Sequence, residues 1–111
     1  MLTNADMTVY HLAADEDGQS ESWIRTVIRG VCWQEKAAVQ AENGGAGGAD
    51  SVRVYLPRSS WSAADPPCRC EDRIARGIRR ELTPPEDARA VTAVSDKDMG
   101  RSVRHWAVAA V

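Results

Sequence analysis

Trp23-Ile24-Arg25-Thr26-Val27-Ile28-Arg29-Gly30-Val31-Cys32-Trp33 is the stretch whose reading decides the fold. Its apolar pattern alternates with a period of two instead of recurring at helical spacing, which marks a long β-strand. Trp23, Val27, Val31 and Trp33 share one face with Arg25 and Arg29. Ile24, Thr26, Ile28 and Cys32 share the other. Both faces are therefore partly apolar, as expected of a strand bent across a small barrel. Gly30 sits where a bulge or sharp coil relieves the curvature.

The same period runs outward on both sides. Met7 to Leu12 is a short strand, and the acidic run from Asp15 to Ser20 is a turn or exposed loop. Glu35 to Glu42 is compatible with a continued hairpin or with one short helix. Residues 43–50 hold four glycines, Gly44, Gly45, Gly47 and Gly48, and read as a mobile loop. Ser51 to Leu56 alternates with Val52, Val54 and Leu56 inward, and Pro57 ends it. Trp61 is the one large side chain of the loop that follows. It suits either a cover over one end of the core or an exposed anchor for a partner.

Residues 71–81 are the ambiguous stretch. A helix here would be short, highly charged, broken by Gly77 and stopped by Pro84-Pro85. The strand reading places Ile74 and Ile78 inward together, with Arg73, Ala75 and Gly77 outward, and is the one adopted. Ala88–Val94, a tight turn over Ser95–Gly100 and Val103–Val111 complete a hairpin. The expectation is one all-β domain over residues 1–111: a small barrel or sandwich of about six strands with long loops.

A chain of 111 residues, 43% hydrophobic and 27% charged, suits one small domain with a thin core. No apolar run is long enough to span a membrane, and the first residues lack the pattern of a secretory signal, so the cytoplasm is expected. The net charge of −2 hides an asymmetry. Residues 1–50 carry eight acids against three bases, whereas residues 51–111 carry eight acids against eleven bases.

Searches for chemistry return little. No glycine-rich phosphate loop, zinc-hydrolase motif or calcium loop is present. Cys68 and Cys70 supply two thiols that His11 or His105 would have to complete for zinc, but the spacing is too tight and no second pair exists. His11 and His105 are the side chains suited to a neutral general base, yet no nucleophile is marked nearby. Arg73, Arg76, Arg79 and Arg80 lack the interleaved aromatics of a single-strand-binding surface. Neither an enzyme nor a bound cofactor or metal is expected. A nucleic-acid-binding or protein-adaptor module is the alternative function.

Several segments together resemble small phage or prophage proteins of the minor capsid and head-tail connector kind. They are Leu2 to Tyr10, Trp23 to Trp33, Ala49 to Pro57, Glu71 to Gly77, and Thr92 to Gly100 followed by His105-Trp106-Ala107-Val108. The likeness runs in order over nearly the whole chain. This sequence departs at Glu71, where the pattern has glycine, at Asp98-Met99, where it has paired arginines, and at Ala109-Ala110, where it has a last glycine. Trp23, Val27, Gly30, Trp33, Val52, Val54, Ile74, Gly77, Val94, His105 and Trp106 form the fold signature.

The resemblance implies a virion assembly protein with a β-barrel core. It would form a ring at the portal-tail junction, contact portal, adaptor and tail proteins, and let DNA pass without binding it specifically. It implies residence in the virion, and in the bacterial cytoplasm during assembly. The loop at Gly44, Gly45, Gly47 and Gly48 and the loop at Trp61 are the expected contact points. The charge asymmetry adds an expected subunit contact, with Glu16, Asp17 and Glu21 facing Arg76, Arg79 or Arg80 of a neighbour.

Overall fold

The structure, a computed structural model, describes residues 3–16, 18–36, 51–97 and 104–111. Its strands are β1 (Ala5–Ala14), β2 (Glu21–Lys36), β3 (Ser51–Pro57), β4 (Arg73–Arg76), β5 (Arg89–Lys97) and β6 (His105–Ala110). All pair antiparallel, and the ladders close on themselves in the order β1-β2-β3-β6-β5-β4. The all-β expectation of about six strands is met.

The plain barrel needs correction. The ladders β1–β2, β1–β4 and β4–β5 form one sheet, and β2–β3, β3–β6 and β5–β6 form a second. β2 and β5 pass from one layer to the other, so the closed sheet is sandwich-like. Both crossing strands carry an irregularity near the passage. In β2 the register shifts opposite Asp6, between Ile28 and Val31, and in β5 between Val91 and Ala93.

Gly30 is the residue that makes the first corner. It has φ +79, in the left-handed region that glycine enters without a Cβ penalty. A Cβ there would also lie 3.0 Å from the Ser60 hydroxyl. The extra residue changes which parity faces inward. Ile28 is buried before the bulge, while Val31 and Trp33 are buried after it. The expected single face of Trp23, Val27, Val31 and Trp33 is thereby corrected: Trp23 and Val27 are only half-buried. A bulge shifts register by one residue, and one residue exchanges the two faces.

The core is one cluster in which Met7, Val9, Ile28, Val31, Trp33, Val52, Val54, Leu56, Ile74 and Val108 meet. Val94 packs at its margin, as does Trp61, and Trp106 is buried within it. The expected strand over residues 71–81 is shorter than read. It stops at Arg76 because Gly77 turns the chain at φ +88. Ile78 is consequently exposed instead of inward, and Ala75 is buried instead of outward. Residues 77–82 form a strap across the outside of β1. Ser95 to Lys97, read as part of a turn, continue β5, and Lys97 pairs with His105. Residues 98–100 of that turn, residues 37–42 of the ambiguous segment and the glycine loop lie outside the described residues.

Candidate functional site

The strap is held by hydroxyl groups on the outer face of β1. Thr8 Oγ1 donates to the Gly77 carbonyl at 2.8 Å and accepts from the Arg79 N–H at 2.9 Å. The Tyr10 hydroxyl donates to the Glu81 carbonyl at 2.9 Å. Arg25 reaches the Arg79 carbonyl from β2. These bonds explain why Thr8 and Tyr10 are fully buried although they lie on the face away from the core.

Beyond Tyr10 the β1–β2 hairpin continues alone. β4 pairs with β1 only from Met7 to Tyr10, and β3 pairs with β2 only from Cys32 to Lys36. His11–Ala14 and Glu21–Ile24 therefore form an arm with no further strand beside it among the described residues. Leu12 pairs with Trp23, and His11 pairs with Ile24. Cross-strand partners point to one side, so Leu12 lies on the strap side of the arm and Ile24 on the other. The tip is closed by backbone bonds from the Asp15 N–H to the Ser20 carbonyl at 2.7 Å and from the Gly18 N–H to the Asp15 carbonyl at 2.8 Å. Asp15 accepts from the hydroxyls of Ser20 and Ser22.

The expected contact residues can be placed on this frame. Glu16 and Glu21 are exposed at the arm tip, and Arg76 and Arg80 are exposed at the two sides of the strap's first turn. Arg79 is used within the molecule: its guanidinium donates to the Arg76 carbonyl at 2.7 Å and pairs with Asp87. Trp61 is half-buried against the core, with its indole N–H on the Asp65 carbonyl at 2.8 Å. Asp17 and Gly44, Gly45, Gly47 and Gly48 lie outside the described residues.

Where the arm leaves β4, an open cleft of about 570 Å³ forms beside His11, Leu12, Trp23, Cys70, Asp72 and Arg73. His11 Nδ1 is 2.7 Å from Asp72 Oδ1, and the same carboxylate accepts from the Arg69 N–H at 2.9 Å. A buried carboxylate that orients an imidazole is half of a nucleophile-activating arrangement. Among the described residues no Ser, Thr or Cys is hydrogen-bonded to His11, and the Cys70 thiol is turned to the Thr92 carbonyl at 3.3 Å. The pair therefore fastens the Arg69–Asp72 turn to β1. Sequence reading missed it because the two residues are 61 positions apart with no local signal.

Cys68 and Cys70 part company in the fold. Cys68 is buried, and that burial pushes its thiol up to about 12, so it stays protonated at neutral pH. Cys70 is exposed. Among the described residues no three metal-ligating side chains come together. His105, in β6, packs edge-on against the Tyr55 ring with centroids 5.7 Å apart. The Trp106 ring beside it carries the Arg58 guanidinium 4.6 Å from its centroid.

The comparisons with known proteins give a family and nothing finer. The chain belongs to DUF6751, a family of unknown function, whose model matches residues 2–111. No curated protein and no solved structure matches the chain.

Proposed function

We propose that this chain is a structural assembly protein of a tailed phage or prophage, one subunit of a ring at the junction of portal and tail. It would reside in the virion, and in the host cytoplasm while particles assemble. The observation that carries the reading is the ordered run of resembling segments, together with the contacts those segments make. Asn4 and Asp6 of the first segment bond Trp33 and Gly30 of the second. Gly77 of the fourth donates to the Asp6 carbonyl at 2.7 Å. Trp106 to Val108 of the last pair with Val54 to Leu56 of the third. The resemblance thus covers residues that depend on one another, which supports treating it as one unit and not as scattered coincidences.

Mass spectrometry of gradient-purified particles, induced from a host that carries the gene, tests this. The reading expects the chain in the particles at a ring-like ratio to the portal protein, with antibody labelling at the neck. Complete particles that lack the chain would overturn it.

A further inference from the structure

The outer face of β3, β6 and β5, with the end of β2 beside them, carries basic side chains and no acidic ones among the described residues. Gln34, Arg53, Ala109 and Ala93 stand in one row across the four strands, and Cys32, Tyr55, Ala107 and Ser95 in the next. Lys36 and Ser51 precede these rows, and His105 and Lys97 follow them. Trp33, Val54, Val94 and Val108 are the inward members of the same strands. Glu35 and Asp96 share that inward parity. Glu35 accepts from the Trp33 indole N–H at 3.1 Å, and Asp96 is shared by Arg58 and Arg104.

Lys36, Arg53 and Lys97 are exposed, and none of them pairs with a carboxylate or carbonyl among the described residues. They fall on one diagonal of the sheet. One strand across and two residues along separate Lys36 from Arg53, roughly 8 Å, and Lys97 lies about 16 Å farther on. Between Arg53 and Lys97 the diagonal crosses Ala107, where an open trough of about 270 Å³ has Ala93 and Ala109 in its floor and Tyr55 at its side. β3 and β6 are each paired on both edges, so this face offers no main chain to an added strand. A partner lies across it and meets side chains.

We propose that this face binds single-stranded nucleic acid without sequence preference. Backbone phosphates sit on Lys36, Arg53 and Lys97, and a base lies over Ala107 against Tyr55. A stepped row of unpaired cations suits a chain of repeated negative charges, and a flat floor beside an aromatic ring suits the plane of a base. An acidic peptide would supply the charge but nothing planar for the trough. Arg73, Arg76, Arg79 and Arg80 lie elsewhere and take no part. The binding requires only this chain and does not rest on the ring reading.

The test is fluorescence anisotropy of the full chain with a labelled oligothymidylate of about twelve nucleotides. Three phosphate contacts predict that log affinity falls against log salt with a slope of about −2. Arg53→Glu with Lys97→Glu should weaken binding about tenfold or more and leave a slope of about −1 or shallower. Arg53→Lys with Lys97→Arg keeps the charges and should keep the parent's slope. Tyr55→Leu should weaken binding about fivefold or more with the slope unchanged, since it removes the stacking ring alone. Arg73→Glu with Arg80→Glu makes the same charge change elsewhere and should leave binding as it is. No binding at low salt, or equal loss in the two reversed pairs, overturns the proposal. So does a preference for duplex DNA or for polyglutamate over the oligonucleotide. Particles without the chain would sink the phage reading and leave this face standing, and a failure here leaves that reading untouched.

Discussion

Asn4 and Trp33 hold each other through two hydrogen bonds: the Asn4 amide donates to the Trp33 carbonyl at 3.0 Å and accepts from the Trp33 N–H at 2.8 Å. The Asn4 N–H adds a third link, to the Val31 carbonyl at 2.9 Å. One side chain thereby satisfies the backbone of β2 just past its corner, where the ladder with β1 ends at Val31. Asn4→Ala leaves part-buried backbone groups unpaired and should cost about 1–3 kcal/mol in urea unfolding. Asn4→Asp keeps the acceptor but sets a carboxylate oxygen against the Trp33 carbonyl, so it should not restore the parent's stability. Equal stability of Asn4→Ala and the parent would show that water replaces the side chain without loss.

Glu71 occupies a position that asks for glycine. Its φ is +77, the one positive value at a non-glycine residue among those described. The left-handed conformation costs such a residue roughly 1–2 kcal/mol, and a more flexible unfolded chain returns part of that when glycine is introduced. Glu71→Gly should therefore stabilise the fold by about 0.5–1 kcal/mol, read as a rise of a few degrees in Tm. A fall in Tm would mean that the Glu71 side chain contributes more than the backbone loses.

Neighbouring arginines should behave differently. Arg79→Glu removes the bond to the Arg76 carbonyl and sets like charges beside Asp87, loosening the strap by about 1–2 kcal/mol, with the ion-pair share small because Asp87 is well exposed. Arg80→Glu should change stability by less than about 0.5 kcal/mol. Thermal melting of the two variants separates these outcomes. Equal destabilisation would show that Arg80 also belongs to the strap's internal frame.

The acid limb of stability should contain a contribution from Asp96. Hydrogen bonds from Arg104 and then Arg58 hold its carboxyl at about 2, below its ordinary 3.8. Its favourable contacts are thus complete above pH 3.8 and are lost as pH falls through about 2. Unfolding midpoints of the parent and of Asp96→Asn should converge across that window and run parallel above it. A constant offset down to pH 2 would place the Asp96 contribution elsewhere.

The strand class was legible because alternation survives even when its exact boundaries do not. Val52, Val54 and Leu56 obey the simple period and are all buried. β2 does not obey it, since the bulge at Gly30 was visible as a glycine but its effect on parity was not. Simple alternation therefore favours Val27 over Ile28, although Ile28 is the buried one. The strap was misread as strand because Ile74 and Ile78 share a face only if Gly77 keeps extended geometry. Glu16, Glu21, Arg76 and Arg80 were legible as charge. The exposure of Leu12, Ile24, Ile78 and Leu82 was not, because they look like core residues until the neighbouring strands stop short.

Negative-stain microscopy of tailed-phage portal rings mixed with the chain tests the proposed ring assembly most directly. The prediction is a collar of added density on the tail-side face, with the portal's rotational order or a simple relation to it. Clean portals at concentrations well above micromolar would contradict a place at the portal-tail junction.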